Sequence, residues 1–157
     1  MHPSPENLIV LGMATRGIPL AEKLAARLSE KYGQKIPLGS IDATFYRDDF
    51  HYRKRIQNTE MRIRAMPTSV EEKEIILVDD VLYTGRSVRA AMQSILDLGR
   101  PSAIRLCVLV DRGHRELPIA PDCVGLVVET AVNQEVRVSI EPMDQENSVY
   151  LVEVEGE

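Results

Sequence analysis

Short unbroken apolar runs, each followed by a polar turn and then by an apolar residue at every third or fourth position, organise this chain. Leu8-Ile9-Val10-Leu11 is the first run and stops at Gly12. Runs of this kind predict strands buried on both faces. The turn Met13-Ala14-Thr15-Arg16-Gly17 leads into Leu20, Leu24 and Leu28 beside Ala21 and Ala25, the apolar stripe of a helix that ends near Gly33. Residues 36–45 predict a second strand. From about residue 46 to 70 the chain is polar and charged with no sustained apolar period, which predicts a mobile loop with room for a short edge hairpin. Ile75-Ile76-Leu77-Val78 belongs to a strand predicted over 74–79, with two adjacent carboxylates, Asp79 and Asp80, where it ends. A helix over 85–98 follows, with Val88, Ala91, Met92, Ile95 and Leu96 on one face and Gly99 and Pro101 as its stop. Residues 104–110 and 123–128 predict two further strands. Residues 136–140 and 149–154, separated by the turn-rich 142–147, predict a closing hairpin. Alternating strands and helices imply an α/β fold: a doubly wound, mostly parallel sheet flanked by helices, with a C-terminal β-hairpin. Ligands of such sheets bind at the carboxyl ends of the strands.

Composition narrows the class without naming a function. A chain of 157 residues, 44% apolar and 27% charged, is expected to form one domain, here residues 1–157. No stretch approaches the ~20 apolar residues of a membrane span, and no secretory leader is expected at the polar, proline-broken start, so the location expected is the cytoplasm. Cys107 and Cys123 lie in apolar runs without a C-x-x-C neighbour, and read as small buried thiols. The net charge of −5 is not that of an average nucleic-acid binder, although it leaves room for a local basic patch.

The chemistry concentrates in Val78-Asp79-Asp80-Val81-Leu82-Tyr83-Thr84-Gly85-Arg86-Ser87. A strand, a Thr-Gly turn and a helix N-terminus aim backbone N–H groups and the helix dipole at an anion. Neither G-x-x-x-x-G-K-[ST] nor G-x-G-x-x-G occurs, so this is not a triphosphate loop or a dinucleotide fingerprint. Two carboxylates beside the cradle would repel bare phosphate. They suit a ligand with hydroxyls on one side and phosphate on the other, such as a ribose 5-phosphate, with Asp79 and Asp80 accepting from the hydroxyls and Thr84 to Ser87 wrapping the phosphate.

This run resembles the phosphoribosyl-pyrophosphate (PRPP) motif of the type I phosphoribosyltransferases. Leu98-Gly99-Arg100-Pro101, the stretch from Val108 to Ile119, Thr15-Arg16-Gly17-Ile18-Pro19-Leu20-Ala21 and Tyr46-Arg47-Asp48-Asp49 narrow the likeness. Together they resemble the bifunctional pyrimidine-operon regulators that are also uracil phosphoribosyltransferases, the PyrR family. The resemblance implies displacement of pyrophosphate from C1 of PRPP by a uracil nitrogen to give UMP, through an oxocarbenium-like transition state. It implies PRPP binding by Thr15, Arg16 and Val78 to Ser87, with Asp79, Asp80 and Arg16 carrying the chemistry and Arg16 meeting the pyrophosphate. Val110, Asp111 and Arg112 would border the base, read largely through backbone groups. Arg47, Asp48 and Asp49 would open a lid over the site, and a solvated charge run is the competing reading. Mg²⁺ carried on substrate oxygens is the implied cofactor, with no dedicated protein metal site. His114 invites a general-base role, but amid Arg112, Arg115 and Glu116 it reads better as a polar surface residue.

A homo-oligomer is expected, and the family's other partner is pyrimidine-operon leader RNA, bound when uridine nucleotide fills the site. Here the sequence departs from the family pattern. Ala120 and Leu126 stand where cations are usual, and Glu129-Thr130-Ala131 replaces a Pro-Thr-Ser segment. Arg53, Lys54, Arg55, Arg62 and Arg64 offer another basic patch on the presumed lid. An N-terminal helical segment usual in the family is also missing before Leu8, so either the start is truncated or a partner subunit supplies that packing. Weakened RNA contact follows, and the enzyme reading leads. The alternatives are a regulator with weak or no activity, and a transferase for another base, against which the run from Asp111 to Ile119 argues.

Overall fold

The computed structural model describes residues 4–42 and 63–154. After a 3-10 turn at Pro5–Asn7, the elements are β1 (Leu8–Met13), α1 (Gly17–Tyr32), β2 (Leu38–Ile41), β3 (Ile63–Ala65), β4 (Glu74–Leu82), α2 (Arg86–Leu96), β5 (Ala103–Asp111), β6 (Cys123–Val127), β7 (Gln134–Ser139) and β8 (Ser148–Glu153). Six strands form one sheet in the order β3-β2-β1-β4-β5-β6, and β7 and β8 form a separate antiparallel pair. Five strands run parallel, and β3 closes the edge antiparallel to β2.

The alternation of β1 explains why helices cover both faces of the sheet. Leu8 and Val10 point to one side and pack with Ala21, Ala25 and the α1 leucines, Leu20, Leu24 and Leu28. Ile9, Leu11 and Met13 point to the other and pack with Val88, Ala91 and Ile95 of α2. Such two-sided burial requires the continuous apolar runs seen in the sequence. The hairpin docks through Val138 and Ile140 onto Val110, with Leu20 and Val81 packed alongside.

Several boundaries differ from the sequence expectations, each for a tertiary reason. The motif strand continues to Leu82, beyond the expected 79, because β5 extends to Asp111 and pairs Val81 with Val110 and Leu82 with Asp111. The second strand is shorter than 36–45; Ile36 is buried outside it, and residues 43–45 lie outside the described residues. Of the expected 46–70 loop, the described part contains the edge strand β3, whereas Arg47, Asp48, Asp49 and Arg53 to Arg62 lie outside the described residues. The buried arc of α2 includes Ala90 and Ser94, which rotates Leu96 outward to 53% exposure. The helix is capped by Asp97, and Gly99 does not adopt positive φ; instead it has Glu71 and Val70 packed against it. Gly33 caps α1 at φ 64°, as expected. Cys123 is exposed, because β6 is the far edge strand. Cys107 is half-buried, and burial, reinforced by the neighbouring Cys123, pushes its thiol up to about 12, so it stays protonated at neutral pH.

The first turn of α1 touches β4 directly. A Cβ on Gly17 would lie 2.5 Å from the carbonyl oxygen of Val78, closer than any real side-chain contact. Gly17→Ala is therefore expected to force α1 away from the sheet at a cost of about 1–3 kcal/mol, read as a lowered urea midpoint with an unchanged m-value.

Candidate active site

Strand order reverses direction at β1 and β4: from β1 the sheet grows outward through β2, and from β4 through β5 and β6. The crevice between the carboxyl ends of two such strands is where open α/β sheets bind ligands. The turn after β1 carries Arg16, and β4 with the turn after it carries Asp79 to Ser87. Both border one cavity of about 700 Å³. Arg112 and six residues of the hairpin, 135–139 and Tyr150, complete its wall.

The turn at 83–85 is shaped by Gly85, whose φ of 90° is open to glycine at little cost and which forms the N-cap of α2. Thr84 Oγ1 accepts from the Arg86 N–H at 3.3 Å. The carbonyls of the turn are engaged elsewhere: Arg115 Nη1 donates to Tyr83 O at 2.8 Å, and the N–H groups of Glu116 and Leu117 donate to Thr84 O at 3.0 and 3.3 Å. Residues 115–117 are not part of the cavity wall, so these acceptors are held outside it. The opening N–H groups of α2 then dominate the inner side, an arrangement suited to phosphate. Arg86 also walls the cavity and forms an exposed ion pair with Glu116.

Asp79 and Asp80 are 5% and 8% exposed, and both face the cavity. Asp79 Oδ1 accepts the Asp80 N–H at 2.9 Å, which fixes its rotamer. Arg16 stands close enough for Asp80 to raise its pKa, but its principal partner is Asp144. Nε donates to Asp144 Oδ2 at 3.1 Å and Nη2 to Oδ1 at 3.0 Å. This contact raises Arg16 above its usual range and, with the Ile140 N–H, holds Asp144 below the ordinary carboxylate range.

The end of β5 is firmly committed to structure. Val110 is fully buried under the hairpin. Burial works to raise the Asp111 pKa, but Arg115 at 2.6 Å and the Gly113 N–H at 3.0 Å outweigh it and hold the carboxylate low. Arg112 is 7% exposed, and its guanidinium lies 4.0 Å over the Tyr83 ring and donates to Gln134 O and Thr130 Oγ1. Any contact of Val110 with a base therefore runs through its backbone. His114 Nε2 lies 2.6 Å from Thr130 O, and since a carbonyl only accepts, that nitrogen carries a proton. His114 lines a different recess, with Val127 to Thr130. Among the expected PRPP residues, Arg16 and Asp79 to Ser87 meet on the cavity; Thr15 is exposed beside it and Val78 is packed into the core against α1.

A family model for the phosphoribosyl transferase domain matches residues 4–142. The chain is 51% identical to the "Bifunctional protein PyrR" of Deinococcus deserti over 150 residues, 96% of this chain and 81% of the relative. The protein of the same name from Latilactobacillus sakei is 44% identical over 145 residues, 92% of this chain and 81% of the relative. The chain belongs to the PyrR family of phosphoribosyltransferases. Solved structures agree on the fold: the hypoxanthine phosphoribosyltransferase of Trypanosoma cruzi superposes with a TM-score of 0.65 at 15% identity, over 94% of this chain and 77% of that one. A purine phosphoribosyltransferase from Pyrococcus horikoshii gives 0.59 at 23% identity, over 92% and 80%. The buried acidic pair beside a backbone phosphate turn is the part of this family member best suited to a phosphoribosyl group.

Sequence reasoning missed Asp144, the hairpin wall and the bracing role of Arg115. Asp144 is separated from Arg16 by 128 positions, and no local pattern links them. Arg115 was visible only as one charge among several.

Two outcomes follow from this geometry. Asp80→Asn removes a buried charged acceptor from the cavity wall and should lower kcat/KM for phosphoribosyl transfer by about ten- to a hundred-fold, with the fold retained by circular dichroism. Asp111 has a depressed folded-state pKa, so its contribution to stability is full above the ordinary aspartate value of about 4 and fades as pH falls through the lower folded value. Asp111→Asn should accordingly flatten the acid limb of stability, measured as urea midpoint against pH.

Proposed function

We propose that this protein transfers the phosphoribosyl group of PRPP to uracil, releasing UMP and pyrophosphate, in the cytoplasm. The carrying observation is one cavity lined by Asp79 and Asp80, by the turn that opens α2 and by Arg16. These three groups answer the three parts of the ligand: ribose hydroxyls, 5-phosphate and pyrophosphate. Thr84 to Ser87 hold the 5-phosphate through backbone groups, and the acidic pair accepts from the ribose hydroxyls and favours positive charge growing at C1. Arg16 receives the departing pyrophosphate. The choice of uracil rests on the names of the relatives and on the likeness of the run from Asp111 to Ile119 to the family pattern.

Mg²⁺ fits this donor set as a cation brought by the substrate. Among the described residues no three His, Cys, Asp or Glu side chains converge into a metal-holding group, whereas Asp79 and Asp80 offer hard oxygens beside the substrate's own. When bound, the ion neutralises pyrophosphate charge and eases its departure.

The second activity of the family, binding of leader RNA, is proposed to be weak in this chain. Ala120 and Leu126 are exposed and uncharged at the positions where the family resemblance places cations. Self-association is inferred from Leu126, Val127, Val132 and Leu151, large apolar side chains that remain exposed.

The test is a product assay with PRPP, uracil and Mg²⁺, run beside an RNA titration over salt. UMP formation with uracil preferred over hypoxanthine and orotate is expected. A preference for another base, or no product at all, overturns the reading. Leader RNA should bind weakly, and Ala120→Arg with Leu126→Lys should steepen the slope of log K against log salt by somewhat under two units, since each phosphate contact contributes about 0.7–0.9.

A further inference from the structure

Arg16 does not stand alone in the cavity wall. Its side chain is 37% exposed, and a residue so far open to water would ordinarily sample many rotamers. Asp144, from the turn between β7 and β8, binds it side-on through Nε and Nη2 at 3.1 and 3.0 Å. A guanidinium carries five N–H groups. The side-on pair consumes one on Nε and one on Nη2. Among the described residues, neither N–H group of Nη1 nor the second of Nη2 has a hydrogen-bond partner, and these form the end-on fork that matches two oxygens of a phosphate.

Asp144 is itself held rigidly. Its Oδ2 accepts the Ile140 N–H at 2.7 Å, and its own N–H donates to Ile140 O at 2.9 Å. Ile140 is 3% exposed and packs with Val110 and Val138, the cluster that docks the hairpin on the sheet. The turn is closed further by Glu141 and Asn147, which exchange hydrogen bonds at 3.0 and 3.1 Å. The carboxylate is thus fixed relative to β5 and the core before any ligand arrives. Without it, Arg16 would face Asp80 as its nearest described carboxylate, the very group expected to serve the ribose.

We propose that Asp144 is a positioning residue for pyrophosphate: it fixes the Arg16 guanidinium side-on, keeps it off Asp80, and presents its free end-on fork to the leaving group. This rests on the assignment of Arg16 to pyrophosphate made above. It gives the C-terminal hairpin a role in the reaction, since the turn bearing Asp144 is carried by the same two strands that wall the cavity.

The test is a double-mutant cycle on the full-length protein. Dissociation constants for inorganic pyrophosphate with Mg²⁺ would be measured by calorimetry for wild type, Arg16→Ala, Asp144→Ala and the double variant, with KM for PRPP and uracil in parallel. Asp144→Ala should weaken pyrophosphate and raise KM for PRPP by about ten-fold, with KM for uracil almost unchanged. In the Arg16→Ala background it should have no further effect. Asp144→Asn keeps an acceptor for Nη2 and should fall between wild type and Asp144→Ala, which guards against reading a folding defect as a lost contact. Equal weakening of all ligands, the same loss with or without Arg16, or tighter pyrophosphate binding in Asp144→Ala overturns the proposal while leaving Arg16 in its place. If Arg16→Ala leaves pyrophosphate binding untouched, the assignment of Arg16 fails and the role of Asp144 fails with it.

Discussion

Backbone hydrogen bonds between β1 and β4, in parallel register from Leu8 opposite Glu74 to Gly12 opposite Val78, bring two turns far apart in sequence to one edge of the sheet. The rest of the site depends on this pairing. Because both strands are buried on both faces, neither can slip by a residue without turning its apolar set toward the wrong helix. The register therefore fixes how far Arg16 stands from Asp80. Gly17, packed against the Val78 carbonyl, adds a second lock, since a larger residue there would lift α1 and the Arg16 turn with it.

The phosphate turn shows a division of labour between backbone and side chains. Under the proposed function its N–H groups serve the ligand, while its carbonyls at Tyr83 and Thr84 are satisfied by Arg115 and the N–H groups of Glu116 and Leu117. Buried peptide groups must find partners, so a turn that offers donors to a ligand has to place its acceptors elsewhere. The loop after β5 supplies those partners. This explains why Asp111 and Arg115, which lie outside the cavity wall, occur in the same recognisable run as Arg112.

Charges of both signs meet on the cavity. The acidic pair of β4 lines it together with the N-terminus of α2 and Arg16, and Arg16 interacts with both Asp80 and Asp144. Under the proposed function this mixture suits a phosphoribosyl diphosphate, with its anionic ends and hydroxylated, transiently cationic centre. Arg112, stacked on Tyr83 and bonded to Gln134 O, ties the turn before α2 to the hairpin.

Local order was legible in the chain itself. Apolar runs marked β1, β4 and β5, the spacing of Leu20, Leu24 and Leu28 marked α1, and the string from Val78 to Ser87 marked the phosphate turn, because each signal lies within one strand, one helix face or one turn. Partnership was not legible. The extension of β4 to Leu82 depends on β5, the exposure of Cys123 on an edge position, and the outward face of Leu96 on which arc of α2 is buried. The pairing of Arg16 with Asp144 and the hairpin wall arise only when the chain ends far apart in sequence are packed together. Sequence alone determined the alternation of strands and helices and the run of residues that turns into the cavity; the tertiary structure alone decided where elements stop and which residues face one another, since side-chain partners are chosen by distance in space and periodicity records only distance along the chain.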